Sequence, residues 1–212
     1  MDSISQLLLG ASVGYVVAGQ KHAGKALVLG AISGVIPDLD MIPLNLINDD
    51  LLSLEQHRGY THSILFLFTG APFFAWVTRF FVTSVSFSIL FWIFFWGFLT
   101  HSLLDCFTSW GTQVLWPFGS RIAFNSVFII DPIYTLPLLI TVLMVVFRKR
   151  RSFFYVSLGL FLSTAYLFLG LFIKFYINTQ FEALFDRRGI VVERFSSRPT
   201  PFNSILWTVT AE

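Results

Sequence analysis

Polar residues interrupt this chain rarely and in clusters. Between the clusters lie apolar runs long enough to form membrane helices. The pattern predicts six segments: Ile4 to Gly19, Lys25 to Ile36, Thr61 to Val82, Val85 to Cys106, Pro132 to Phe147 and Ser152 to Ile177. A more polar tail, Asn178 to Glu212, follows. The expected fold is an all-α membrane protein of about six transmembrane helices with a small C-terminal extramembrane tail. Residues 1–177 make the transmembrane domain. Residues 178–212 make the tail, which is either a lid or an interfacial anchor through Trp207. The second segment, stopped by Pro37, spans only about 18 Å, against a hydrocarbon core of about 30 Å. It is therefore expected to be short or re-entrant, with its acidic end in a cavity walled by other helices. Gly10, Ala11, Ser12, Gly14, Ala18 and Gly19 give the first segment a surface on which another helix can pack closely.

Composition strengthens this reading. Of 212 residues, 55% are hydrophobic and 12% charged, and Phe occurs 26 times. A soluble domain carries about 25% charged residues, so lipid is the expected solvent. A net charge of +2, with no basic stripe among aromatics, argues against nucleic acid. No protein partner is deducible. The single cysteine, Cys106, excludes an internal disulfide, and no cleavable signal peptide is evident. If each segment crosses once, one face holds Lys21, Lys25, Arg79 and the run Arg148 to Arg151. That is half of the 14 basic residues and none of the 12 acidic ones. Basic loops stay cytoplasmic, so the polar motifs and both termini are expected to face outward from the inner membrane.

Three motifs carry the candidate chemistry: Pro37-Asp38-Leu39-Asp40, His57-Arg58-Gly59-Tyr60-Thr61-His62 and His101-Ser102-Leu103-Leu104-Asp105. Three of the four histidines lie in them, beside carboxylates. Asp38 and Asp40 follow a helix-stopping proline; they either face one cation together or form a solvated helix-terminal pair. His57 and His62 bracket a glycine turn that is either a ligand loop or an interfacial one. His101 and Asp105 share a helix face at i, i+4, as a metal half-site or as a hydrogen-bonded pair. Together the motifs supply six metal ligands: Asp38, Asp40, His57, His62, His101 and Asp105. They suit one or two divalent ions; zinc fits an imidazole and carboxylate set, with manganese or iron as alternatives. Arg58 can clamp a phosphate or carboxylate, or snorkel at the interface. Thr61 caps the next helix or stands behind the ligands. Asp131 does one or the other ahead of Pro132.

At these motifs the sequence resembles the YdjM-like family of membrane-bound metal-dependent hydrolases, some of which are LexA-regulated. The likeness is carried by Met1 to Gln6, Leu9-Gly10-Ala11, the three motifs, Thr108, Gly111-Thr112, Trp116-Pro117-Phe118 and Asp131-Pro132. It covers most of the chain. Many members have histidine where this chain has Gln6, and some have glutamate where it has Tyr15. Gln6 thus becomes a contact for substrate or metal-bound water, with Thr108 as a further substrate contact.

The resemblance implies hydrolysis by a metal-activated water, with Asp38, Asp40 or Asp105 as an alternative general base and Arg58 on the anionic part of the substrate. A site at the bilayer edge implies a lipid or lipid-linked phosphoester, in faint analogy with zinc-dependent phospholipases C. Two other readings use the same cluster: an ion-transport or metal-handling protein, and a membrane protein with a closed structural metal.

Overall fold

The computed structural model describes residues 1–44, 56–147 and 152–212. Helix α1, Ser3–Ala18, starts where the Asp2 carboxylate accepts from the amides of Ile4 (3.1 Å) and Ser5 (3.0 Å). It ends at Gly19, whose φ of 71° suits glycine. A short 3₁₀ turn leads into α2, Ala23–Val35.

Pro37 does not stop the second segment. Helical backbone continues through a 3₁₀ turn, Ile36–Asp40, into the short α3, Met41–Leu44. Proline sits in the first turn of that 3₁₀ piece, where its missing N–H costs no hydrogen bond. The whole stretch Gln20–Leu44 is 25 residues, long enough to cross a bilayer. What proline does is change the helix type, which turns Asp38 toward the protein.

Helix α4, Ile64–Phe81, is capped by Ser63, and α5, Phe87–Cys106, by Ser86. Helix α6, Pro132–Val146, is capped by Asp131, whose carboxylate accepts from Ile133 N at 3.0 Å. Helix α7, Ser152–Arg188, has 37 residues, about 55 Å. It runs past residue 177, where the sequence suggested an end. Polarity rises there, but Gln180, Glu182, Ala183 and Leu184 are good helix formers. Gly189, at φ 61°, terminates it. The tail then forms an antiparallel pair, β1 (Phe195–Pro199) and β2 (Trp207–Ala211).

Among the described residues, four stretches, Gln20–Leu44, α4, α5 and α7, are long and apolar enough to span a membrane; α1 and α6 are apolar but shorter. The fold is thus the expected helical membrane protein with a small tail. The basic run Arg148 to Arg151 lies outside the described residues.

Helices α1 and α2 pack backbone to backbone. A Cβ on Gly14 would stand 2.6 Å from Ala26 O and 2.7 Å from Gly30 Cα, and one on Gly10 would stand 2.8 Å from Gly34 Cα. This closeness is available only to glycine and is the usual way membrane helices gain contact. Between α4 and α5 the filler is aromatic: Phe98 meets Phe66, Phe74 and Phe94 at centroid distances of 5.0, 5.7 and 5.8 Å. Such pairs contribute about 0.5–1.5 kcal/mol each. The loop after α5 folds back on the second motif, with Gln113 N donating to Arg58 O (3.0 Å) and Ile64 N to Val114 O (2.9 Å). The tail is pinned to the bundle where Lys174 donates to Ser197 O (2.7 Å) and where the Ser204 hydroxyl meets Tyr166 Oη (2.7 Å) and Asp131 Oδ2 (3.3 Å).

Candidate metal centre

Each motif reaches the site from a different element. The 3₁₀ turn after α2 presents Asp38, a 3₁₀ turn at Tyr60–His62 presents His62, and the last turns of α5 present His101 and Asp105. One ligand atom from each of these four lies within 4.8 Å of all the others. His62 Nε2 stands 3.3 Å from Asp38 Oδ1 and 3.5 Å from Asp105 Oδ2. His101 Nε2 stands 3.5 and 3.8 Å from the same two oxygens. A zinc ion with bonds of about 2.0–2.2 Å holds its ligand atoms about 3.3–3.6 Å apart, so the spacing fits.

Hydrogen bonding shows what these atoms present. His101 Nδ1 lies 2.7 Å from Gly34 O, and a carbonyl can only accept, so Nδ1 carries a proton. In the neutral ring Nε2 is then a bare lone pair. His62 Nδ1 lies 3.0 Å from Thr61 Oγ1, whose hydroxyl proton is already given to Asp40 Oδ2 at 2.8 Å. Thr61 can therefore only accept from His62, and this Nε2 is also a lone pair. The two Nε2 atoms face each other at 3.0 Å. Asp38 Oδ1 and Asp105 Oδ2 are buried with no hydrogen-bond partner. Two lone pairs and two carboxylate oxygens, one of them beside the Arg58 guanidinium, converging on one point are what a cation would satisfy, and a buried set without one is costly. The four residues can hold a metal ion.

His62, His101 and Asp105 are at most 1% exposed, and Asp38 forms the open edge with its side chain 22% exposed. Burial acts to lower the pKa of His62, but the carboxylates of Asp105 and Asp38 outweigh it and raise the pKa above its ordinary value.

Two expected ligands stand beside this group. Asp40 Oδ1 pairs with His57 Nδ1 at 2.8 Å, and Asp40 Oδ2 also accepts from Arg58 N at 3.2 Å. Thr61 is the link between that pair and His62. Arg58 has a left-handed φ of 62°, strained for a non-glycine residue, and is held there by Asp40 on its N–H and Gln113 on its C=O. This turns the guanidinium inward, with Nε 3.2 Å from Asp105 Oδ2 and Nη1 3.5 Å from Thr108 Oγ1.

Gln6 and Thr108 both attach to Asp105. Gln6 Nε2 donates to Asp105 Oδ1 (3.0 Å) and His101 O (3.3 Å), and Thr108 Oγ1 donates to Asp105 O (2.8 Å). Asp131 caps α6 and accepts from Tyr166 and Ser204, none of them a residue of the cluster. Three contributors escaped the sequence reading. They are the Met1 amino group on Asp105, the Gly34 carbonyl on His101, and Arg121, which donates to His57 O at 2.7 Å. None has a sequence signal, because two are backbone groups and Arg121 lies outside every motif.

The profile of the YdjM inner membrane protein family matches residues 1–177. The chain belongs to that family. Comparison with curated proteins and with solved structures gives no match. Membership and the spanning helices make it an integral inner-membrane protein. In this YdjM family member the matched region contains every residue of the cluster.

Proposed function

We propose that this protein is a metal-dependent hydrolase of a lipid or lipid-linked phosphoester. The observation that carries the reading is the convergence of Asp38 Oδ1, Asp105 Oδ2 and two imidazole lone pairs, with Asp38 open at one edge. Asp38, His62, His101 and Asp105 would hold a divalent metal, zinc being the natural choice for that set, which would supply Lewis acidity and acidify a water for attack.

The chain's own groups complete the chemistry. Asp40, through Thr61, fixes His62 in the tautomer that points Nε2 into the site. Asp40 also orients His57, which lies at the cluster's edge and is the candidate acceptor of a proton from the attacking water. The Arg58 guanidinium binds the substrate's anionic group. The basic loops favour an outward-facing site, and the membrane setting favours a substrate drawn from the bilayer.

Protein loaded with zinc or manganese is mixed with phospholipid phosphoesters in detergent micelles, and the released product is measured. Wild type should turn over. Arg58→Ala and His57→Ala should keep their metal and lose about 100-fold or more in rate. No turnover by wild type on any phosphoester lipid, with metal flux through proteoliposomes instead, would replace this reading with metal transport.

A further inference from the structure

At the opposite end of the α1–α2 hairpin from the metal centre lies a groove of about 930 Å³. Helix α2 separates the two by about 20 Å. The groove's rim carries Lys21, His22 and Lys25, and among the described residues no carboxylate lines it. Lys25 touches Ser84, while Lys21 and His22 form no ion pair among the described residues. Below the rim the walls are apolar: Leu27, Val28 and Ala31 from α2, and Val142, Val145 and Val146 from α6. Val28 and Val146 are 59% and 57% exposed, so in the bilayer this trough opens to hydrocarbon.

We propose that this groove binds one anionic phospholipid, with its phosphate at Lys21, His22 and Lys25 and an acyl chain in the trough. The order of chemistry along the groove, cationic at the membrane surface and apolar beneath, matches a phospholipid standing in its leaflet. A soluble anion would leave the trough unused, and a zwitterionic lipid would bring its own ammonium against the two lysines. Basic pockets between membrane helices recognise anionic headgroups through this combination. The site is independent of the metal cluster and of any hydrolysis there.

The test is native mass spectrometry of the detergent-solubilised full chain, titrated with phosphatidylglycerol or with phosphatidylcholine of the same acyl chains. Wild type should bind phosphatidylglycerol more tightly. Lys21→Ala/Lys25→Ala should weaken phosphatidylglycerol about thirtyfold and phosphatidylcholine much less, because the choline ammonium already offsets that lipid's phosphate charge. Val28→Trp, at an exposed position that tolerates bulk, should weaken both by filling the trough. Equal binding of the two lipids by wild type, or undiminished phosphatidylglycerol binding in the lysine variant, would overturn the proposal. So would displacement of lipid by inorganic phosphate together with no effect of Val28→Trp, which marks a free-anion site.

Discussion

Replacing Thr61 with valine keeps the shape of the side chain and removes one hydroxyl. In the wild type that hydroxyl donates to Asp40 and accepts from His62 Nδ1, at 2.8 and 3.0 Å. His62 is 1% exposed, so no water can replace the lost acceptor. With metal on Nε2 the proton must stay on Nδ1, and in the variant it has no partner. Without metal the imidazole escapes by moving its proton to Nε2, where Asp38 Oδ1 lies 3.3 Å away. The penalty therefore falls on the metal-bound state. An unsatisfied buried donor costs about 1–3 kcal/mol, or about 5- to 150-fold in affinity. That range overlaps the 10- to 100-fold losses typical when groups behind metal-binding histidines are removed. The assay is zinc competition against a fluorescent chelator at fixed pH. Thr61→Ser, which keeps the hydroxyl, should bind within about threefold of wild type. Equal affinity in Thr61→Val and wild type, with the fold intact, refutes the relay from Asp40 to His62.

Four further outcomes are expected. The raised pKa of His62 makes protons compete with metal, so zinc affinity should rise with pH, by about tenfold per unit for each proton released, and level off above that pKa. Chelator-treated protein should behave oppositely: its stability from protonated His62 is full below the unfolded value of about 6.5 and is lost as pH rises through the folded pKa, which thermal unfolding against pH would show. Gly30→Ala places a Cβ 3.0 Å from Gly14 Cα, and should cost about 1–3 kcal/mol in detergent unfolding and weaken metal binding, because Gly34 on the same helix holds His101. Asp131→Ala removes the α6 cap and the acceptor of Tyr166, and should lower Tm by about 3 °C or more while metal content stays unchanged.

Much of this was legible in the sequence because membrane helices and buried ionisable residues both leave strong marks. The apolar runs located α4, α5 and α6 to within a few residues, and the i, i+4 spacing of His101 and Asp105 placed both on one face. What the sequence could not resolve is how side chains divide the work within a motif. Asp38 and Asp40 are two residues apart, yet a 3₁₀ turn sends one to the cluster and the other to His57 and Thr61. Pro37 reads as a stop because proline usually ends helices, but its position in a new first turn is set by tertiary contacts. The contacts of the Met1 terminal amino group and the Gly34 carbonyl involve main-chain atoms, which no side-chain pattern reveals.

The central claim is a metal held by Asp38, His62, His101 and Asp105. Elemental analysis of detergent-purified protein, prepared without chelator, tests it most directly, with wild type beside His62→Ala, Asp105→Ala and Asp131→Ala. The account predicts at least one equivalent of zinc or a similar divalent metal in wild type and Asp131→Ala, and loss of that metal in the other two. Metal-free wild type even after added zinc or manganese, or metal retained in both ligand variants, would contradict it.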